Sequence, residues 1–315
     1  MIYALLVTIF LLLSLYHLVN RPCIQHGRTT CAMVKHARSR SKQKPIPKLI
    51  WSYWHEEDQP LLVKKCIDNW RRYNKDYTIN ILHSGNLAKF IIKDQLPGDF
   101  SKLKEFRKAD WLRVALLRTY GGIWLDASTF LTRSLDWVME LQQKNNSEFV
   151  GFYIDGFSTD KDSPIIENWF LASTHDSRFI ADWYSEFTNE VISRNERDYL
   201  KMLRDSGAYI DVVQNIKHPE YLAMHVAASR ITRKKEEYSL TLLRAEETAF
   251  FYLHQFKWSR SKLFIQLALL KANSSVPSII KFRARERSYF ERGLKYKIFR
   301  SSSVVGRYLM RESIS

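Results

Sequence analysis

The feature that most constrains this chain is the segment KADWLRVALLRTYGGIWLDAS, residues 108–128. Apolar residues recur at helical spacing over residues 103–120, which predicts a helix. Gly121 and Gly122 follow where a helix C-cap is expected, and residues 123–128 have the pattern of a strand that ends near Asp126. Because open α/β sheets bind ligands beyond the carboxyl ends of their strands, Asp126 is a candidate functional residue.

The segments before this one alternate in type. A β-rich run at residues 48–54, a helical pattern at 61–73, an alternating run at 77–82 and a helical pattern at 87–93 follow one another. Strand, helix, strand, helix is typical of a parallel sheet with helices on its faces. Further strands are predicted at residues 149–153 and 168–172, and further helices at 176–194, 221–231 and 261–270. The predicted fold class is therefore α/β.

The charge of the chain is unevenly distributed. The formal net charge is +16, but the basic residues concentrate at residues 21–45 and 281–300, so that residues 46–280 are nearly neutral. Two basic segments beside a neutral body favour an anionic membrane surface over nucleic acid as the binding partner. The simpler alternative is that both segments are solvated tails without a partner.

The N-terminal stretch also suggests a membrane. Residues 2–19 contain no charged side chain, and a spanning helix needs about 20 apolar residues, with a lower limit near 17. No basic residue precedes the stretch and no small-residue cleavage site follows it, which favours a membrane anchor over a cleaved signal peptide. The basic run after it places the body in the cytosol, and the opposite orientation would place it in a Golgi-type lumen.

These patterns predict four regions. Residues 1–20 form the transmembrane anchor, 21–45 a basic linker, 46–280 the folded domain and 281–315 a basic aromatic C-terminal tail. The tail is expected to dock on anionic lipid headgroups.

Three charged side chains in the central segment are candidates for chemistry. Asp110 and Arg113 are three residues apart and share one helix face, as a surface ion pair or as part of a binding site. A carboxylate such as Asp126 at the end of a buried strand is costly unless it binds something, and a divalent cation that holds a diphosphate is a natural partner. Arg113 would contact a sugar or phosphate oxygen, and Asp110 would accept hydrogen bonds from sugar hydroxyls.

The same segment resembles the signature of nucleotide-sugar glycosyltransferases with a GT-A fold. It is most similar to the capsular polysaccharide synthesis proteins and to the DXD-containing sugar transferases. The match holds position by position at Asp110, Arg113, Gly121, Gly122, Trp124 and Asp126, and weaker blocks extend it over residues 46–260. The resemblance implies a GT-A-type, Rossmann-like mixed sheet with flanking helices.

The resemblance also implies roles for individual residues. The catalytic residues would be Asp110, Arg113 and Asp126; the donor-binding residues would be Trp54, Gly121, Gly122, Trp124 and Asn168; and Mn²⁺ or Mg²⁺ would bind to Asp126, Ser128 and His254. Ser128 departs from the family pattern, which has a second acid there. For Trp54 a place in the core is the alternative, and for His254 an ordinary interior or surface position.

The implied function is a membrane-anchored, metal-dependent glycosyltransferase that moves a sugar, with retention of configuration, from a nucleotide-diphosphate donor to a glycan, polysaccharide or lipid-linked acceptor. Its partners would be donor, acceptor and membrane, with no nucleic acid. The alternatives are a catalytically inactive sugar-nucleotide binder and a basic protein that binds membrane surfaces.

Overall fold

The computed structural model describes residues 2–27, 32–35, 42–234 and 238–311. Its strands are β1 (Ala32–Lys35), β2 (Leu49–Tyr53), β3 (Thr78–Leu82), β4 (Gly122–Leu125), β5 (Thr129–Leu131), β6 (Phe149–Tyr153), β7 (Ile166–Ser173), β8 (Leu240–Arg244) and β9 (Ile279–Lys281). Seven of these strands form one sheet in the order β1-β8-β6-β7-β4-β2-β3, and β5 pairs with β9 in a second, two-stranded sheet.

The large sheet is mixed. The pairs β2/β3, β2/β4 and β6/β8 are parallel, whereas β7 is antiparallel to both of its neighbours and β1 is antiparallel to β8. The predicted mixed α/β sheet is therefore confirmed, and its strands other than β7 and β1 share one direction. The carboxyl ends of those parallel strands meet at the same edge of the sheet, where α/β folds bind their ligands.

Helices cover both faces of the sheet. The α-helices of the described residues are α1 (Ile2–Asn20), which adds no residue to the buried cores, and α2 (Leu61–Tyr73), α3 (Glu105–Tyr120), α4 (Asp136–Asn145), α5 (Arg178–Glu186), α6 (Glu196–Asp205), α7 (Tyr209–Val213), α8 (Ala223–Arg233), α9 (Phe251–Gln255), α10 (Arg260–Phe264) and α11 (Ala284–Lys295). One hydrophobic core joins α2, α4 and α11 to one face of the sheet, and a second joins α3, α5 and α8 to the other. Alternation along β4 serves both cores, since Ile123 and Leu125 face the first and Trp124 faces the second.

The turn between α3 and β4 depends on its two glycines. Gly121 and Gly122 adopt φ values of +65° and +97°, a region that side chains with a Cβ avoid. A Cβ on Gly122 would lie 2.6 Å from the carbonyl oxygen of Leu49, so the close approach of β4 to β2 also requires glycine. The predicted helix, glycine turn and strand are confirmed, although β4 ends at Leu125, one residue before Asp126.

The segment after residue 280 packs against the body of the protein. The predicted boundary falls inside β9, whose last residue, Lys281, pairs with Thr129 of β5. Helix α11 buries Phe290 and Leu294 in the first core, and the carboxylate of Glu291 accepts hydrogen bonds from the first two backbone N–H groups of α2. Thus the basic segment, predicted to be a tail, supplies the last residue of β9 and the whole of α11 to the fold.

The predicted membrane anchor is not supported. Residues 2–20 form a helix as expected, but among the residues that the structure describes we find no helix whose length and apolar character would suffice to cross a bilayer. Of the predicted basic linker, residues 28–31 and 36–41 lie outside the described residues, as do residues 312–315 of the predicted tail.

One predicted helix is wrong. Residues 87–93 form two short 3₁₀ turns, Leu87–Lys89 and Lys93–Gln95, in place of a helix. The carbonyl oxygen of Phe90 accepts a hydrogen bond from the hydroxyl of Tyr120 at 2.8 Å, so a tertiary contact takes the place of a helical hydrogen bond there.

Candidate active site

Three predicted site residues meet at the carboxyl edge of the sheet. Trp54 directly follows β2 and Asp126 directly follows β4, and these strands are parallel neighbours in which Trp51 pairs with Trp124. Asn168 reaches the same edge from β7, because the backbone N–H of Asp126 donates to the carbonyl oxygen of Trp169 at 2.9 Å. The edge therefore collects side chains from three adjacent strands.

Asp126 is surrounded by donors. Its Oδ1 accepts from the indole Nε1 of Trp124 at 3.0 Å and lies 3.5 Å from Nη2 of Arg113, and its Oδ2 accepts from Nζ of Lys281 at 2.9 Å. The side chain keeps 26% of its exposure, so its carboxylate is partly accessible to solvent. Burial is the largest influence on its pKa and raises it, but the charges of Lys281 and Arg113 outweigh burial and hold the pKa below its usual range.

Asp110 is more deeply buried than Asp126 and forms ion pairs with two arginines. Its Oδ2 pairs with Nη1 of Arg107 at 2.8 Å, and its Oδ1 forms an ion pair with Nη1 of Arg113 at 3.0 Å and accepts a hydrogen bond from Nδ2 of Asn168 at 2.9 Å. Burial raises the pKa of Asp110 above its usual range, against the opposing charges of Arg113 and Arg107. With its oxygens used in this way, Asp110 holds Arg113 and Asn168 in place, a contribution that differs from the predicted contact with sugar hydroxyls.

Two cations from the C-terminal segment complete the site, and the sequence interpretation missed both. Lys281, at the end of β9, bridges Asp126 and Ser128, with its Nζ 3.1 Å from the hydroxyl of Ser128. Arg287 of α11 lies with its guanidinium 4.8 Å from the centre of the Trp54 ring. Burial lowers the pKa of Arg287, and the nearby charge of Asp126 partly opposes that effect. The apolar run before Lys281 is the one local sign of a strand there.

The other predicted residues are placed less centrally. Gly121 and Gly122 lie at the opposite end of β4 from Asp126, where they form the turn described above. Trp124 is buried beneath the guanidinium of Arg113, 5.2 Å from its ring centre. Trp54 is half-buried and one of its faces is covered by Arg287. The structure therefore brings Trp54, Trp124 and Asn168 to the site, and it leaves the two glycines away from it.

The residues present do not fit a divalent cation. Lys281 already lies between Asp126 and Ser128, two of the three predicted ligands. His254 lies exposed on α9 and, within the described chain, forms no hydrogen bond or ion pair with either of them. Among the described residues no group of three or more His, Cys, Asp or Glu side chains is placed to hold a metal ion. An ammonium group repels a divalent cation at hydrogen-bond distance. The oxygens of Asp126 and Ser128 therefore suit the lysine side chain better than a metal ion.

Comparison with known families identifies the chain. The family model described as capsular polysaccharide synthesis protein matches residues 26–285. The chain belongs to this family. The match includes the whole segment from residue 108 to residue 128 that first suggested the resemblance.

Curated relatives in fungi are similar over part of their length. The O-glycosyltransferase braB of Annulohypoxylon truncatum is 27% identical over 44% of this chain and 37% of its own length. The initiation-specific alpha-1,6-mannosyltransferase of Candida albicans is 25% identical over 51% of this chain and 47% of its own. The chain thus spans less than half of the length of these relatives.

Two solved structures have weaker similarity. A galactosyltransferase LgtC in complex with donor and acceptor sugar analogs has a TM-score of 0.40 and 9% identity, over 84% of this chain and 98% of that one. The UDP-bound glycosyltransferase domain of the YGT toxin has a TM-score of 0.40 and 10% identity, over 86% and 95%. At these TM-scores the likeness supports no inference about this chain.

Proposed function

We propose that this protein is a glycosyltransferase that moves a sugar from a nucleotide-diphosphate donor to a glycan, polysaccharide or lipid-linked acceptor. The observation that carries the proposal is a cluster of side chains at the carboxyl edge of parallel strands. It contains Trp54, Asp126 and Asn168 together with the cations Arg113, Lys281 and Arg287. Family membership and the glycosyltransferase names of the curated relatives support it.

The charges at this edge favour an anionic ligand. Asp110 pairs with Arg107 and Arg113, and Asp126 pairs with Arg113 and Lys281. The negative charges of both acids are therefore already neutralised. Arg287 adds a further positive charge, and it forms no hydrogen bond and no close ion pair with any residue that the structure describes. A half-buried guanidinium without an anion is poised to bind one, and a diphosphate matches its donor geometry.

Glycosyl transfer needs charge stabilisation at this place. The acceptor hydroxyl oxygen bonds to the anomeric carbon of the donor sugar, and the bond from that carbon to the diphosphate oxygen breaks. The diphosphate leaves with the bonding electron pair and takes up the proton of the acceptor hydroxyl. Arg113 and Arg287 stabilise the charge that develops on the leaving group, since fixed charges aimed at a developing anion usually give the largest catalytic contribution. The exposed part of Asp126 orients the donor sugar.

Two finer expectations stay predictions. Retention of configuration follows only from the resemblance of the central segment, and the location of the protein in the cell follows only from the charge pattern.

The test is release of free nucleoside diphosphate from a panel of UDP- and GDP-sugars, with glycan acceptors, by wild type, Asp126→Asn and Asp205→Asn. Asp205 is an exposed aspartate paired with Lys201 on α6, so its variant is the matched control. We expect release by wild type and the control, and a loss of at least about 100-fold in Asp126→Asn. Binding of sugar nucleotides without release would favour the inactive binder, and absence of both would refute the proposal.

A further inference from the structure

Lys281 occupies the place in which the sequence pattern predicts a metal ion. Its ammonium group lies 2.9 Å from Oδ2 of Asp126 and 3.1 Å from Oγ of Ser128, so it contacts both side chains of the D-x-S sequence. These are the two positions at which the family pattern has its pair of acids. A serine in the second position removes one negative charge, and the one carboxylate that remains pairs with Lys281 and, at a longer distance, with Arg113.

The position of Lys281 is fixed by the fold. Lys281 pairs with Thr129 in the β5/β9 sheet, and the backbone N–H of the next residue, Phe282, donates to the carbonyl oxygen of Ser128 at 2.9 Å. The Ser128 hydroxyl in turn donates to the carbonyl oxygen of Phe282 at 2.8 Å. The lysine side chain keeps 8% of its exposure. Backbone pairing of Lys281 and Phe282 thus holds the ammonium group against Asp126. A lysine on the protein surface would lack this constraint.

Arg287 adds a second, more exposed cation to the same site. It lies six residues after Lys281, on the first turns of α11, and its guanidinium covers Trp54. Arg287 is more exposed than Lys281, and it lies close enough to Asp126 for that charge to raise its pKa against the effect of burial. The two cations belong to one site by geometry: Lys281 contacts Asp126 after β4, and the more exposed Arg287 lies over Trp54 after the neighbouring strand β2.

We propose that Lys281 and Arg287 replace the divalent cation of this site, so that the protein binds the donor diphosphate without metal. Lys281 occupies the Asp126–Ser128 pair and supplies positive charge from behind, while Arg287 contacts the diphosphate directly. This inference rests on the proposed function. It involves no covalent step by either residue.

The test measures binding of UDP, GDP, CDP and ADP by titration calorimetry, once in EDTA and once in excess Mn²⁺. At least one nucleotide is expected to bind equally well, within about twofold, under both conditions. Arg287→Met and Lys281→Met are expected to weaken that binding about 10- to 100-fold, the range of a charge-assisted hydrogen bond. Lys281→Arg keeps the charge and is expected to bind within about tenfold of wild type. The matched control is Lys262→Met, at an exposed position of α10.

The outcomes separate this inference from the proposed function. Binding that is at least tenfold tighter with Mn²⁺ than with EDTA would overturn the inference and leave the glycosyltransferase proposal standing. Wild-type affinity in both Arg287→Met and Lys281→Met would also overturn it. Failure of all four nucleotides under both conditions would refute the proposed function and this inference with it. Thermal unfolding of each variant checks that it is folded. If Lys281→Met does not fold, the affinity of Arg287→Met and the comparison of wild-type affinity in EDTA and in Mn²⁺ decide whether the inference holds.

Discussion

Replacement of Asp110 by asparagine tests the buried charge network most directly. The two oxygens of the Asp110 carboxylate face three N–H-bearing groups at 2.8–3.0 Å: they form ion pairs with Arg107 and Arg113 and accept a hydrogen bond from Asn168. An asparagine has one oxygen and one NH₂ group, so at least one of these donors would face another donor. Because the site is buried, water cannot compensate the loss.

The expected cost follows from the remaining partners. Arg107 keeps Glu196 at 2.8 Å, but Arg113 keeps only Asp126 at 3.5 Å. Removal of one partner from a buried ion pair costs about 3–5 kcal/mol, which corresponds to a fall in Tm of about 6–15 °C at roughly 2–3 °C per kcal/mol for a domain of this size. Urea and thermal unfolding of wild type and Asp110→Asn measure both quantities.

The matched control is Asp68→Asn. Asp68 pairs with Arg71 at 3.1 Å with the same three-residue spacing on α2, but more than half of each side chain is exposed. An exposed pair of this kind contributes about 0–1 kcal/mol. If Asp110→Asn were to lower the unfolding free energy by no more than Asp68→Asn does, Asp110 would not carry the negative charge that holds Arg113, and the reasoning about the network would be refuted.

Three further substitutions have defined outcomes. Burial raises the pKa of Glu148 to about 7, so the folded state keeps a proton that the unfolded state releases near pH 4.3. The unfolding free energy of the wild type, relative to that of Glu148→Gln, should therefore fall by about 3 kcal/mol between pH 4 and pH 8. Urea unfolding at a series of pH values measures this difference, and a difference that does not change with pH would contradict the prediction. Gly122→Ala should cost at least about 2 kcal/mol through its positive φ and its contact with Leu49, whereas Gly98→Ala, with no atom near its Cβ, should leave Tm within about 2 °C. Glu291→Gln should cost about 1 kcal/mol in urea unfolding, because it removes the charge that receives the first two N–H groups of α2, and an unchanged midpoint would show that the contact contributes nothing.

The elements that the sequence predicted well are those whose pattern is local. Helix α2 and strand β6 occupy the predicted residues 61–73 and 149–153, because their apolar periodicity requires burial on one face or on both. The prediction at residues 87–93 was wrong, because a contact with Tyr120, about 30 residues away, replaced a helical hydrogen bond. Two long predicted helices end in π-helical turns, Phe187–Ile192 and Ile265–Leu269, which periodicity does not distinguish from α-helix.

The candidate site shows the same division. Asp110, Arg113 and Asp126 lie within one contiguous segment, so spacing alone placed them on one helix and one strand end. Lys281 is 155 residues from Asp126 and came from a segment whose basic composition suggested a tail. Its place depends on the β5/β9 register, which no local pattern encodes.

By itself, the sequence determined that residues 103–126 form a helix, a glycine turn and a strand with an acid at its end, since dihedral preferences and apolar spacing are properties of neighbouring residues. Only the tertiary structure decided what this acid binds. Pairing of distant strands brought Lys281 to Asp126 and Arg287 to Trp54, and the electrostatic environment of a buried carboxylate is set by charges close in space, whatever their separation along the chain.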